Sequence, residues 1–195
     1  RIDAVALDKT GTLTEGRPVV TDVVALDPEL GATHGVIDED EVLRMAARAE
    51  AGSGHPLARP IVEAATERGL DIVGLPEHTE PVPGKGIVAA LDGHRIAVGN
   101  WALIESENLP GYDDPRARAV VEELAFAGRT PMLVACDGQV VGVIGVADRI
   151  RSDAAQMVAG LHDAGVKQVV MLTGDIEPVA RAVAEQVGID EVHAG

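Results

Sequence analysis

Two short apolar segments near the ends of the chain, each closed by a polar turn that contains glycine, constrain the fold most strongly. Residues 2–7 run into Asp8-Lys9-Thr10-Gly11-Thr12, and residues 168–172 run into Thr173-Gly174-Asp175. An apolar run with such an end is typical of a buried parallel strand at its carboxyl end. Helical patterns lie on both sides of the second run, so the sequence predicts β-α-β crossovers and a parallel sheet.

The middle of the chain has a different pattern, in which Asp-Gly pairs separate apolar segments. Residues 87–91 and 94–98 flank Asp92-Gly93, and the same arrangement recurs around Asp137-Gly138. Two-residue Asp-Gly turns between such segments predict antiparallel hairpins. Helices and a surface loop complete this region: the helical patterns cover 39–50, 57–68 and 115–127, and the loop composition covers 27–38.

These patterns together predict an α/β fold with an insertion. Residues 1–15 and 149–195 form a domain with a parallel sheet, and residues 18–146 form an inserted α+β domain with an antiparallel sheet. Hydrophobic residues make up 46% of the chain and aromatic residues only 2%, so both cores are built mainly from Ala, Val, Leu and Ile.

Charge and cysteine content exclude several functions. The formal net charge is −16 at pH 7, and a chain of that charge is repelled by nucleic acid and by anionic membrane surfaces. Cys136 is the only cysteine, so the chain has no intrachain disulfide. The longest apolar run, 140–147, contains two glycines and is too short to cross a bilayer.

Asp8 and Thr173 are the first candidates for chemistry. If both apolar runs lie in one parallel sheet, both residues lie at carboxyl ends of strands, where open α/β sheets bind ligands. A carboxylate there can attack phosphorus, while the hydroxyl and backbone N–H groups near Thr173 hold phosphoryl oxygens. The structural alternative is that Asp8 begins a turn and Thr173 caps the following helix.

The segment around Asp8 carries a more specific signal. Asp8-Lys9-Thr10-Gly11-Thr12-Leu13-Thr14 matches the phosphorylation-site signature of the P-type ATPases. Four further segments resemble motifs of the heavy-metal-transporting members and occur in the same order: Ser53-Gly54-His55-Pro56-Leu57, Pro83-Gly84-Lys85-Gly86, Gly99-Asn100 and Thr173-Gly174-Asp175. The resemblance extends over essentially the whole chain.

The resemblance implies a haloacid-dehalogenase-like phosphorylation domain, incomplete here, that is interrupted by a nucleotide-binding domain. It also implies that ATP phosphorylates Asp8 with Mg²⁺ held at Asp8 and Thr10. The residues it assigns to phosphoryl transfer are Asp8, Lys9, Thr10, Thr173, Gly174 and Asp175. Those it assigns to the nucleotide are Glu50, His55, Gly84, Gly86 and Asn100. Asn100 has the alternative role of N-cap of the next helix.

Thr10 separates two functions within the larger superfamily. The soluble phosphatases of that superfamily carry an aspartate two residues after the nucleophile, which acts as general acid and base. A threonine cannot do this, so the resemblance favours a pump, in which the aspartyl phosphate persists. A soluble phosphatase and a nucleotide-binding module without turnover are the alternatives.

The resemblance also implies the setting of the chain. We expect a monomeric, cytoplasmic portion of an integral membrane pump that exports a heavy metal, with copper(I) as the expected cargo. The partners are then ATP and the rest of the pump. The family's later lysine and its Gly-Asp-Gly-x-x-Asn-Asp motif do not occur before Gly195, and Gly54 stands where the family usually has glutamate.

The remaining histidines and the cysteine give no sequence signal for a site. Cys136 lies in a predicted strand, where a small buried side chain is the expected role. The histidines without ligand spacing are His34, His78, His94, His162 and His193.

We expect this chain to bind ATP without sustaining phosphorylation of Asp8. The transfer needs Mg²⁺ and a cationic side chain, and the family's completing residues lie beyond Gly195. Lys9, Lys85 and Lys167 cannot readily replace the missing lysine, because one neighbours the nucleophile, one belongs to the nucleotide loop and one precedes a strand. Incubation with γ-labelled ATP and Mg²⁺, followed by acid quench, should leave no label. Acid-stable, hydroxylamine-sensitive label that is lost in Asp8→Asn would contradict this expectation.

Overall fold

The computed structural model describes residues 2–26, 37–107 and 114–195, so nearly all of the predicted loop 27–38 lies outside the described residues. The strands are β1 (Ala4–Asp8), β2 (Thr14–Ala25), β3 (His78–Val82), β4 (Gly86–Leu91), β5 (His94–Gly99), β6 (Thr130–Cys136), β7 (Gln139–Ile150), β8 (Gln168–Thr173) and β9 (Glu191–Ala194). The helices are α1 (Glu39–Glu50), α2 (Ala58–Glu67), α3 (Trp101–Ser106), α4 (Pro115–Phe126), α5 (Ala154–Asp163) and α6 (Glu177–Val187).

A three-stranded parallel sheet joins the two ends of the chain. Its strand order is β1-β8-β9, and β8 pairs in parallel with both neighbours. Helix α6 forms the crossover from β8 to β9, with Pro178 in its first turn and Gly188 at its end in the left-handed conformation that glycine favours. The core of this part is aliphatic and includes Leu13, Val158, Val169, Met171 and Val183.

A six-stranded sheet has the order β2-β7-β6-β5-β4-β3. Strand β4 pairs antiparallel with β5, and β5 pairs antiparallel with β6. The two Asp-Gly turns are as predicted, with Asp92 at φ 52° and Asp137 at φ 46°, each followed by a glycine of positive φ. This backbone matches the twist of the flanking strands, which is why Asp-Gly is favoured there.

The six-stranded sheet has a buried core on each of its two faces. One core includes Ile87, Ile96, Val134 and Ile144 together with residues of α1 and α2. The other includes Val88, Ala97, Leu133 and Ala135 together with residues of α3 and α4. Because strand side chains alternate with period two, both faces are apolar and the central strands read as nearly continuous apolar runs.

The described chain divides into two compact units. The first comprises Arg1–Val19, Glu123–Thr130 and Ala147–Gly195, and the second comprises Val20–Glu122 and Pro131–Val146. The predicted fold class, an α/β unit with a parallel sheet and an α+β unit with an antiparallel sheet, is confirmed. The first unit also takes in residues 123–130, which the sequence-based boundaries assigned to the insertion. Among the described residues, no helix is both long and apolar enough to cross a membrane.

Gly142 in β7 is required by packing, and its replacement tests that requirement. A Cβ at this position would lie 2.6 Å from both methyl groups of Val42 in α1 and 2.7 Å from the Val24 carbonyl oxygen. Gly142→Ala should therefore lower the free energy of unfolding by about 1–3 kcal/mol in urea titrations.

Gly54 provides the matched control, since nothing lies within 4 Å of a Cβ placed there. Gly54→Ala should change the free energy of unfolding by less than about 0.5 kcal/mol. Equal unfolding midpoints for the two variants would show that α1 and β7 are less closely packed than described.

Candidate functional site

The carboxyl ends of β1 and β8 bring two predicted catalytic segments together. Asp8, the last residue of β1, is in register with Leu172, which directly precedes Thr173 at the end of β8. Asp8 is exposed, so its carboxylate is accessible at this edge of the sheet. The structure therefore places the candidate nucleophile beside the Thr173-Gly174-Asp175 turn, where open parallel sheets bind ligands.

The turn that follows Asp8 is tied to the turn that follows β8. The ammonium group of Lys9 lies 2.6 Å from Asp175 Oδ2, and both side chains are largely buried. The Thr173 hydroxyl accepts a hydrogen bond from the Asp175 backbone N–H at 3.1 Å. Lys9 therefore neutralises Asp175 and ties the two turns together.

Asp148 closes the same turn from the other side. Its Oδ2 accepts hydrogen bonds from the Thr14 hydroxyl at 2.5 Å and from the Gly16 N–H at 3.0 Å, and its Oδ1 accepts from the Arg17 N–H at 2.9 Å. The Thr14 hydroxyl in turn accepts from the Gly11 N–H at 3.2 Å. One carboxylate thus holds the end of the phosphorylation-signature segment in a single conformation.

A second cluster lies in the other unit, at the end of α1. Glu50 is only 1% exposed, and neither of its carboxyl oxygens has a hydrogen-bond partner among the described residues. Its Oε1 is 3.7 Å from His55 Nδ1, a nitrogen that accepts a hydrogen bond from the Leu57 N–H at 3.3 Å. The Ser53 hydroxyl accepts from the His55 N–H at 3.0 Å and so orders the segment between the two helices.

Burial sets the protonation of both side chains. Desolvation raises the pKa of Glu50 from 4.5 to about 7, because burial disfavours the charged carboxylate. Desolvation also lowers the pKa of His55 below its usual 6.5. Near neutral pH the Glu50 carboxyl is therefore partly protonated and His55 is uncharged, so the pair is not an ion pair.

His55 and residues 83–86, here termed the glycine loop, border one cleft. This cavity of about 370 Å³, here termed the His55 cleft, is bounded by residues 53–56, 81–84, 86 and 87. Its volume lies within the range of small-molecule sites. The structure thus brings His55, Gly84 and Gly86 together at one opening.

Close packing against strand β5 explains one of the two glycines in the glycine loop. A Cβ at Gly86 would lie 2.1 Å from the Val98 carbonyl oxygen, so the close approach of β5 requires glycine there. Gly84 has φ 71° and open space around it. Asn100 donates from its side-chain amide to the Gly84 carbonyl at 2.9 Å and accepts from the Leu103 N–H at 3.1 Å. Asn100 is therefore the N-cap of α3 and holds the loop in place.

Comparison with known proteins establishes the family. Residues 2–194 match the haloacid dehalogenase-like hydrolase family, so the chain belongs to the haloacid dehalogenase-like hydrolases. The chain is 43% identical to a copper-transporting P-type ATPase of Rhizobium leguminosarum bv. viciae, over 98% of this chain and 21% of that protein. It is 40% identical to a zinc-exporting P-type ATPase of Mycobacterium marinum, over 100% of this chain and 25% of that protein.

The fold has a solved counterpart. A crystal structure of a zinc-transporting PIB-type ATPase in the E2.Pi state matches with a TM-score of 0.68 and 37% identity, over 100% of this chain and 29% of that one. The chain thus spans about a quarter of the length of the relatives it matches.

Sequence reasoning missed two features of these units. The hydrogen bonds of Asp148 to Thr14, Gly16 and Arg17 were not predicted, because these residues lie more than 130 positions away in the sequence. His94, Cys136 and Asp137 were not expected to meet, because the histidine and the cysteine are far apart in sequence. The two predicted Asp-Gly hairpins could have indicated this cluster. Antiparallel pairing of β5 with β6 places His94, at the start of β5, near Cys136, at the end of β6.

Glu50 should make stability depend on pH in a defined direction. Its pKa is raised in the folded chain, so its contribution is fully present below pH 4.5 and is lost as the pH rises to about 7. Urea titrations across this interval should show the wild-type free energy of unfolding falling by roughly 2–3 kcal/mol relative to Glu50→Gln. Glu67→Gln, at an exposed position on α2, should follow the wild type. Parallel curves for wild type and Glu50→Gln would contradict the burial of an ionisable group here.

Proposed function

We propose that this chain is the nucleotide-binding and phosphorylation region of a heavy-metal-translocating P-type ATPase. The observation that carries the proposal is the exposed carboxylate of Asp8 at the end of β1, beside the Thr173-Gly174-Asp175 turn of β8. The P-type ATPase relatives, which are 38–45% identical over nearly the whole chain, support it.

The proposed chemistry is phosphoryl transfer from ATP to Asp8 in the intact pump, where the family's later lysine and metal-binding motif complete the site. An oxygen of the Asp8 carboxylate attacks the γ-phosphorus, and the bond from that phosphorus to the bridging oxygen breaks as ADP leaves. The Thr173 hydroxyl and the Gly174 backbone N–H are proposed to hold phosphoryl oxygens, while the Asp175 N–H donates to the Thr173 hydroxyl. Asp175 stays paired with Lys9 and keeps the turn in place.

Asp8 and Thr10 are the proposed Mg²⁺ ligands. A carboxylate and a backbone carbonyl oxygen at an exposed turn suit a hard cation that keeps several of its waters. Bound there, Mg²⁺ supplies neutralisation of the charge on the transferred group.

Thr10 favours a pump over a soluble phosphatase. The residue is exposed at the turn two positions after Asp8, where its hydroxyl cannot act as the general base for water. We therefore propose that the phosphorylated aspartate persists in the intact protein.

The proposed nucleotide site is the His55 cleft. Glu50 does not line this cleft itself, but its Oε1 lies 3.7 Å from His55 Nδ1 and both its carboxyl oxygens lack a partner among the described residues. We propose that the exocyclic amine of adenine supplies the missing donor. Gly84 and Gly86 are proposed to face the phosphates, with Asn100 holding their loop. We propose domain limits of 1–15 plus 149–195 for the phosphorylation domain and 18–146 for the nucleotide-binding domain, which the two compact units support.

The setting follows from the same proposal. The chain is proposed to lie on the cytoplasmic side of an integral membrane pump, to act with the other domains of that pump, and to be monomeric by itself. Copper(I) is the proposed cargo, because copper-named relatives are 43% and 45% identical, against 40% for the zinc-named one. Metal-stimulated ATP hydrolysis by the full-length pump tests the cargo.

Calorimetric titration with ATP in the absence of Mg²⁺ tests the nucleotide site. The wild-type chain should bind one ATP. His55→Ala should weaken the affinity by about tenfold or more, because loss of a buried hydrogen-bonding partner costs about 1–3 kcal/mol.

His78→Ala is the matched control, since His78 is an exposed histidine of the same unit and does not line the His55 cleft. Its affinity should equal that of the wild type. Unchanged affinity in both His55→Ala and Gly84→Val would show that ATP binds elsewhere.

A further inference from the structure

A third cluster of functional side chains lies where the two Asp-Gly hairpins meet. His94 is the first residue of β5, Cys136 is the last residue of β6, and Asp137 begins the turn to β7. One ligand atom from each of these residues lies within 4.8 Å of the others. The cluster shares no residue with the lining of the His55 cleft.

The backbone holds these three residues in a fixed relation. Ile96 is in register with Cys136, and the Asp137 N–H donates to the Arg95 carbonyl at 2.8 Å. The Arg95 N–H donates to Asp137 Oδ1 at 2.8 Å, while Asp137 Oδ2 lies 2.8 Å from His94 Nδ1. The residues come from paired strands and a two-residue turn, so little ordering is needed before a ligand binds.

The cluster opens onto a cavity of about 310 Å³. Glu41 and Met45 of α1 line this cavity together with His94 and Cys136. Cys136 is buried, whereas the side chains of His94 and Asp137 are partly exposed, and both Cys136 and His94 line the cavity.

The local charge suits a cation. The two guanidinium groups at the cavity are both paired, Arg44 with Glu41 at 2.6 Å and Arg48 with Asp92 at 2.6 Å. Asp137 adds a third carboxylate to these two, and the chain as a whole carries −16. A bound cation therefore meets no uncompensated positive charge from Arg44 or Arg48.

We propose that His94, Cys136 and Asp137 form a binding site for one thiophilic divalent metal ion of the Zn²⁺ type. A sulfur, an imidazole nitrogen and a carboxylate oxygen are the three donor types that Zn²⁺ takes from proteins, with a fourth position open to water. Mg²⁺ and Mn²⁺ prefer oxygen donors and are excluded by the thiol. Binding breaks the S–H bond of Cys136, forms the metal–sulfur bond and releases the proton to water. The proposal does not rest on the proposed function.

Competition with a chromophoric chelator tests the site, using the metal-free chain under reducing conditions. Zn²⁺ should bind with one-to-one stoichiometry. Cys136→Ala and His94→Gln should each weaken the affinity at least tenfold, and so should Asp137→Asn, in which asparagine tolerates the left-handed backbone of this turn. Mg²⁺ should not compete.

His193→Gln is the matched control. His193 also lies beside a carboxylate, with Nε2 3.0 Å from Glu191 Oε1, but it belongs to no group of three metal-ligating side chains among the described residues. Its Zn²⁺ affinity should equal that of the wild type. Zinc binding of equal strength in wild type and Cys136→Ala would overturn the proposal.

Cobalt substitution reads out the sulfur ligand directly and needs no variant. The wild-type chain with one equivalent of Co²⁺ should show a thiolate-to-cobalt charge-transfer band in the near ultraviolet. The absence of this band would overturn the proposal even if Cys136→Ala failed to fold.

Discussion

The parallel pairing of β1 with β8 is the constraint on which the first unit depends. These strands come from opposite ends of the chain, and their register sets Asp8 beside Leu172 and hence next to Thr173. Closing so long a loop costs conformational entropy, which the buried aliphatic core between the sheet and its helices offsets. The Lys9–Asp175 pair then fixes the two turns at the end of these strands. Without this pairing the candidate nucleophile would have no site around it.

Asp148 and Glu50 show how the surroundings of a carboxyl group decide its role. Asp148 accepts three hydrogen bonds and serves as a structural clamp on the turn after β1. Glu50 is buried without a partner among the described residues, and its pKa is raised to about 7. A buried carboxyl without a hydrogen-bond partner costs stability, and such groups occur more often at functional sites than in cores.

Helix α1 and strand β5 connect two sites of the second unit. Glu41 and Met45 of α1 line the cavity at His94, and Glu50 ends the same helix near His55. Strand β5 likewise begins at His94 and ends at Gly99, where close backbone packing positions the glycine loop. Paired strands and an Asp-Gly turn therefore set the geometry at His94, whereas the His55 cleft is bounded largely by the connection from α1 to α2 and the turn from β3 to β4.

Local patterns determined much of this protein directly. The two Asp-Gly hairpins, the start of α1 at an acidic N-cap and the glycine end of α6 were all predictable, because each depends on residues adjacent in sequence. The phosphorylation-signature segment was likewise visible, since its residues are contiguous.

Only the tertiary structure decided which distant side chains meet. The Lys9–Asp175 pair, the clamp by Asp148 and the cluster of His94 with Cys136 each join residues far apart in the chain. Tertiary structure also explains why position 86 is a glycine, since the backbone of β5 leaves no room there for a Cβ. The sequence specifies local conformation through nearest neighbours, whereas strand register, which brings distant residues together, follows from burial of the whole sheet.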